Sequence, residues 1–248
     1  MGALAAKRAI VTGASSGIGA ATATALAREG AAVAVGARRL DRLNELGDGL
    51  VALELDVTAP DSCASFVASA VHRLEGLDIL VNNAGLALGR DLFDESAEED
   101  EEAVLETNIH GVIRMTRLCL PHLQDGGHIV NIGSVAGRQA YERGALYVTS
   151  KFALRGFTYA LREDLLGRPI RLTTVDPGLV ETNFSRVRYR GDEAAAAKVY
   201  EGVEPLTPED VAECVLFALT RPPHVNVDEL VVMALAQSSG ARILRQEA

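Results

Sequence analysis

The chain predicts an α/β fold: a doubly wound, seven-stranded parallel sheet with helices on both faces. Three observations carry this. Candidate strands and helices alternate along the whole chain, the signature of helices packed against a mostly parallel sheet. The strands are continuous apolar runs, as expected when both faces of a sheet are covered. A glycine-rich turn, Gly13 to Gly19, joins the first strand to the first helix.

Each element follows in order. Residues 8–12 form a short apolar strand, and 17–29 an Ala-rich helix stopped by Gly30, since glycine readily adopts the left-handed geometry that ends a helix. Strands are expected at 31–36 and 50–55, a helix at 61–74 and a compact strand at 78–81. One long helix is expected over 101–123, a strand at 128–132 and a second long helix over 146–166. Strands at 170–175 and 229–232 complete the sheet. Residues 179–206, with Gly191, Gly202, Pro205 and many charges, read as one long irregular stretch; in a compact domain such a loop serves as a lid or binding loop. No linker interrupts the alternation, so residues 1–248 are expected to form one domain. Right-handed crossovers then place a ligand at the carboxyl ends of the strands.

Composition narrows the functional classes. With 48% hydrophobic residues, 4% aromatic and no Trp, the core must be built from Ala, Val, Leu and Ile. A net charge of −10 argues against nucleic acid or an anionic membrane as partner. The acidic run from Asp94 to Glu102 reads as a solvated helix start, where the macrodipole favours carboxylates. Cys63, Cys119 and Cys214 are widely spaced and odd in number, which predicts buried free thiols and a reducing cytoplasm. The five histidines show no metal-binding spacing. Residues 1–7 lack a signal-peptide pattern, and no apolar stretch reaches the length of a membrane span.

The turn Thr12-Gly13-Ala14-Ser15-Ser16-Gly17-Ile18-Gly19 has the strand–turn–helix setting of a phosphate site. Gly13 permits the tight turn, Gly17 the approach of a pyrophosphate, and Gly19 close packing of helix on strand. Free N–H groups and the positive end of the helix dipole then face the phosphates. At the tip of the second strand an NAD site carries an acid for the ribose hydroxyls; here the tip is Gly36-Ala37-Arg38-Arg39. Guanidinium groups suit a 2′-phosphate, so NADP(H) is expected rather than NAD(H). The alternative is that Arg38 and Arg39 merely start a helix and pair with Asp41.

Tyr147 and Lys151 lie four residues apart on a candidate helix, hence on one face. A cation beside a phenol favours the phenolate and makes tyrosine a usable acid or base near neutrality. Ser134 follows an apolar strand upstream. Gly133-Ser134-Val135-Ala136-Gly137 is not the G-x-S-x-G of a hydrolase, because its serine is displaced.

With these residues in order, the chain resembles the short-chain dehydrogenase/reductase family over nearly its whole length. Thr12-Gly13-(x)3-Gly17-Ile18-Gly19, Asp56-Val57, Asn82-Asn83-Ala84-Gly85, Asn108, Ser134, Tyr147-(x)3-Lys151 and Pro177-Gly178 carry the likeness. The resemblance implies a Rossmann-type fold and a catalytic set of Asn108, Ser134, Tyr147 and Lys151. Ser134 and Tyr147 would meet the substrate oxygen, Lys151 would lower the Tyr147 pKa and hold the nicotinamide ribose, and Asn108 would hold a proton-relay water. It implies adenine contacts from Asp56 and Val57 and adenosine-side contacts from Asn83, Ala84 and Gly85. Pro177, Gly178, Val180 and Thr182 would meet the nicotinamide end. Segments 176–192, 206–213 and 221–226 resemble the subgroup acting on short 3-hydroxy acids with NADP(H), for which Arg143, Arg186, Arg188 and Arg190 are candidate carboxylate partners. A broader ketone or aldehyde reductase and a non-catalytic NADP(H)-binding regulator are the alternatives. Family likeness also implies a homotetramer.

Overall fold

Strand β1 (Arg8–Thr12) lies inside a seven-stranded sheet of order β3-β2-β1-β4-β5-β6-β7, every pairing parallel. The computed structural model describes residues 2–246. The other strands are β2 (Ala32–Ala37), β3 (Leu50–Glu54), β4 (Leu77–Asn82), β5 (Leu123–Ile132), β6 (Arg171–Pro177) and β7 (Glu229–Val232). The inner strands are mostly buried, exposed only near their amino ends, whereas edge strands β3 and β7 are partly exposed along their length.

Strand alternation sorts the core into two layers. Ala9, Val11, Val33 and Val35 face one side, where α1 (Gly17–Arg28) and α9 (Pro208–Leu219) pack together. Ile10, Leu80, Ile129 and Leu172 face the other, covered by α3 (Pro60–Leu74), α5 (Gly111–Cys119) and α6 (Ala145–Asp164). Crossovers run one way from β1 to β3 and the other way from β4 onward. The reversal between β1 and β4 opens a crevice at the carboxyl ends of the strands.

Gly30 ends α1 as expected: at φ +90° it lets the Ala31 N–H reach Leu26 O at 3.1 Å. Elsewhere the pattern misleads. The helix expected over 101–123 is broken into α4 (Glu98–Leu105), a π-turn (Glu106–His110) and α5, with Pro121 in a final 3₁₀ turn. The stretch 179–206 is not irregular throughout; it holds α7 (Asn183–Arg188) and α8 (Glu193–Lys198), the latter capped by Asp192 Oδ1 on the Ala195 N–H. The expected element list lacks α2 (Leu40–Asn44), too short for periodicity to show, and α9. The latter announces itself by a capping box: Thr207 and Asp210 satisfy each other's main-chain N–H. Cys63 and Cys119 are buried free thiols, whereas Cys214 on α9 is only half-buried.

Candidate active site

The carboxyl ends of β1, β4, β5 and β6 border one open cleft of about 1390 Å³. At one end lies the glycine turn. Gly13 adopts φ +67°, and a Cβ there would sit 2.7 Å from Ala84 Cα, so only glycine fits. Its N–H donates to Gly36 O at 2.8 Å. Asn83 Nδ2 donates to Thr12 O at 2.9 Å and Gly13 O at 3.1 Å, and Thr12 Oγ1 accepts the N–H groups of Asn83 and Ala84. The turn is thereby locked to β4.

Ser15, Ser16, Gly17 and Ile18 line the cleft. Ser16 caps α1 in extended backbone without a side-chain cap bond, leaving first-turn N–H groups for a ligand. Gly19 does not line the cleft. A Cβ there would lie 2.4 Å from Asn83 Nδ2 and 2.6 Å from Gly13 O, the close packing expected of it.

Arg38 and Arg39, at the tip of β2, both line the cleft, and Arg39 donates to Ser15 Oγ at 3.1 Å. Among the described residues neither forms an ion pair, with Asp41 or any other acid. Asp56 and Val57 line the same region. Partial burial pushes the Asp56 carboxyl up, but bonds from the Thr58 hydroxyl and N–H, with Arg38 nearby, outweigh it and hold the group below its usual range. Main-chain N–H groups beside unpaired guanidinium groups fit a dinucleotide bearing an extra phosphate.

Ser134, Tyr147 and Lys151 meet at the other end of the cleft. Ser134 follows β5 and caps a 3₁₀ turn, its Oγ accepting the Ala136 N–H at 3.1 Å. Lys151 Nζ donates to Ile132 O at 3.0 Å and lies 5.7 Å from the Tyr147 ring centroid. Burial lowers the Lys151 pKa to about 8, with Asp176 pulling it back up. Lys151 and Arg188 are the two cations beside Tyr147, each 5.7 Å from its ring centroid. Burial pushes the Tyr147 hydroxyl well above its ordinary value; a Ser134 hydrogen bond and the charge of Arg188 oppose this.

Asn108 lies in the break between α4 and α5. It sits buried in the π-turn, behind the cleft rather than in its wall. Its Oδ1 accepts the Leu86 N–H and its Nδ2 donates to Leu86 O, both at 2.8 Å, and to Ser150 Oγ at 2.9 Å. The side chain clamps the chain just after Gly85 to α6. Ala84, Gly85, Pro177, Gly178, Val180 and Thr182 all border the cleft. Thr182 caps α7 through the Phe184 N–H.

Of the four candidate arginines the structure singles out one. Arg186 pairs with Glu193, Arg190 with buried Asp100, and Arg143 donates to Arg90 O. The Arg188 guanidinium instead lies in the cleft wall, 5.7 Å from the Tyr147 ring centroid and 5.5 Å from that of Tyr141, whose hydroxyl accepts from it at 3.1 Å. Sequence reasoning missed Tyr141 and Gln237 here. Gln237 lines the cleft and accepts the Leu179 N–H at 2.8 Å; nothing in its neighbourhood of the sequence marks it. Among the described residues no His, Cys, Asp or Glu cluster is arranged to hold a metal, and no helix is long and apolar enough to cross a membrane.

The chain belongs to the short chain dehydrogenase family, whose model matches residues 7–193. Among its relatives, the NADP-dependent 3-hydroxy acid dehydrogenase of Schizosaccharomyces pombe is 40% identical over 253 residues, covering 98% of each chain. The serine 3-dehydrogenase of Agrobacterium fabrum is 37% identical over 96% of this chain and 98% of the relative. A solved structure described as the closed form of serine dehydrogenase complexed with NADP+ superposes with a TM-score of 0.90 at 40% identity, over 96% of this chain and 99% of that one.

Proposed function

We propose that this protein is an NADP(H)-dependent oxidoreductase that interconverts a short 3-hydroxy acid and its carbonyl form. The observation that carries the reading is one cleft with unpaired Arg38 and Arg39 beside a glycine turn at one end and Ser134, Tyr147 and Lys151 at the other. The names of the relatives point the same way.

The nicotinamide, when bound, supplies the hydride donor or acceptor, and the protein supplies position and charge. N–H groups of the α1 first turn would hold the pyrophosphate, Arg38 and Arg39 the 2′-phosphate, and Asp56 and Val57 the adenine. Asn83, Ala84 and Gly85 border the adenosine side, while Pro177, Gly178, Val180 and Thr182 border the nicotinamide. Ser134 Oγ donates a hydrogen bond to the substrate oxygen and polarises the carbonyl. Tyr147 gives the proton in reduction and takes it in oxidation. Lys151, protonated below its pKa of about 8, holds the ribose and adds the positive charge that a buried phenol needs. Asn108 keeps Lys151's helix and the Leu86 main chain in register. Arg188 receives the substrate carboxylate, and residues 179–206 act as the lid that brings it there.

The deciding experiment compares NADP+- and NAD+-linked oxidation of L-serine, D-serine, 3-hydroxyisobutyrate and simple secondary alcohols. The expected result is NADP+-dependent turnover of a 3-hydroxy acid at the highest kcat/KM. Preference for plain alcohols would assign a broad reductase instead, and binding of NADP(H) without any turnover a regulator; either outcome rejects the proposal. We further infer a cytoplasmic homotetramer of one-domain subunits, supported by the free cysteines and by exposed Phe152 and Tyr159 on α6 and Phe217 on α9. Light scattering giving a monomer mass, or recovery outside the cytoplasmic fraction, would reject it.

A further inference from the structure

Asp176 stands out against its strand. It is 2% exposed near the carboxyl end of β6, just before Pro177 at the cleft. Its Oδ1 accepts the Ser134 N–H at 3.0 Å, and its Oδ2 accepts Arg138 Nε at 2.8 Å. Gly133 leaves it room: a Cβ there would lie 1.9 Å from Asp176 Oδ1. Arg138 in turn pairs with Glu229 at 2.5 Å, and Glu229 also takes Arg155 at 3.0 Å and the Tyr159 hydroxyl at 2.6 Å. Alternating charges thus run from the serine to the outer edge of the sheet. A buried carboxylate without such partners would be costly, so its retention at this point calls for a use.

We propose that Asp176 is a positioning residue for hydride transfer: one oxygen fixes the main chain of Ser134, the other is held by Arg138, and the carboxylate sets the charge that Lys151 and Tyr147 experience. This rests on the reading of Ser134, Tyr147 and Lys151 as the reacting groups. The geometry gives the first role. A serine held at its own N–H, in extended backbone at φ −174°, keeps one direction for its hydroxyl. The second role follows from charge. Lys151 is faced by Asp176 from β6, by the neutral Ile132 O from β5 and by Tyr147 on its own helix; Tyr147 is also faced by Arg188, Tyr141 and Ser134. Asp176 favours the protonated form of both Lys151 and Tyr147. Burial raises the Asp176 pKa; Arg138 and the Ser134 N–H work against this and favour the carboxylate, while Glu229 opposes them.

The test uses the full chain with NADP+ and the hydroxy acid it oxidises fastest. Asp176→Asn keeps an oxygen for the Ser134 N–H and loses the charge. The expected result is a fall in kcat of less than about tenfold, with the basic limb of the pH–rate profile moved down by about one unit. Asp176→Ala loses both roles; kcat should fall about 100-fold while cofactor affinity, read by fluorescence titration, stays within about threefold. Arg138→Gln strips the carboxylate of its cation, so an acid limb should appear about one unit higher. If Asp176→Ala does not fold, the Asn and Arg138 variants decide, because they keep the main-chain bond. Wild-type kcat and wild-type limbs in these variants would overturn the inference, as would kcat losses matched by equal losses of cofactor affinity. A wild-type protein without any NADP+-linked turnover would instead defeat the functional reading on which it rests.

Discussion

The two ends of the cleft are made of different material. The phosphate end is built around main chain: Gly13 on Gly36 and the open first turn of α1, with the Asn83 amide locking the carbonyls of Thr12 and Gly13. The substrate end is side chain, held by partners far away along the sequence. Arg188 Nε reaches Gly89 O across 99 residues and Arg188 reaches Tyr141 across 47, while Arg190 and Asp100 pair across 90. A main-chain site is set by glycine spacing and strand order, so it tolerates many surroundings and can be recognised from a few letters. A side-chain site depends on which loops happen to meet, and the same letters elsewhere would be surface charges.

The comparison can be broken first at the seam between the two ends. Tyr147→Phe should cut kcat about 10³-fold, within the range for losing a general acid–base, yet leave the NADP+ dissociation constant within about threefold; an equal loss in both would mean the ends are not separable. Next, Arg38→Ala with Arg39→Ala should lower the preference for NADP+ over NAD+ about 100-fold, the worth of one or two charge-assisted bonds, with little change in KM for the hydroxy acid. The converse substitution, Arg188→Met, should raise the hydroxy-acid KM roughly tenfold while sparing alcohols that lack a carboxylate; a uniform loss on both would show that Arg188 only shapes the loop. The smallest effect lies beneath both ends. Burial lowers the pKa of His128 in β5 to about 3, so the folded protein refuses a proton that the unfolded chain accepts near 6.5. Stability should therefore be full above about pH 6.5 and fall on acidification toward pH 3, by about 2 kcal/mol at pH 5. Urea titrations across pH check this, and His128→Asn should flatten that part of the slope.

What the sequence made legible follows the same division. Continuous apolar runs fix a parallel sheet because both faces must be covered, and Gly13 with Arg38 and Arg39 marked the phosphate end before any coordinates. The Tyr147–Lys151 spacing put both on one helix face, but spacing says nothing of Ile132 O, which accepts from the ammonium, or of Arg188, a second cation beside the same ring. Arg186, Arg188 and Arg190 are alike as letters; only Glu193 and Asp100, folded against two of them, distinguish the third. Asp176 carries a signal of its own, a carboxylate set just before Pro177-Gly178 in a buried strand. The capping box at Thr207 was likewise readable, whereas the break at residues 106–110 was not, because an apolar pattern continues smoothly through it.

That break has a mechanical consequence. A π-turn holds one more residue than regular winding requires, and here the extra residue lets Asn108 face Leu86 and Ser150 while Met115 and Cys119, further on, still face the core. Deleting a single residue between 106 and 110 would restore ordinary winding and swing everything on one side of the cut by about 100° relative to the other. Either the asparagine would lose its clamp or the core-facing sulfurs would turn outward. The helix is therefore free to vary by substitution but not by length, and the irregularity persists as long as both ends of it have work to do.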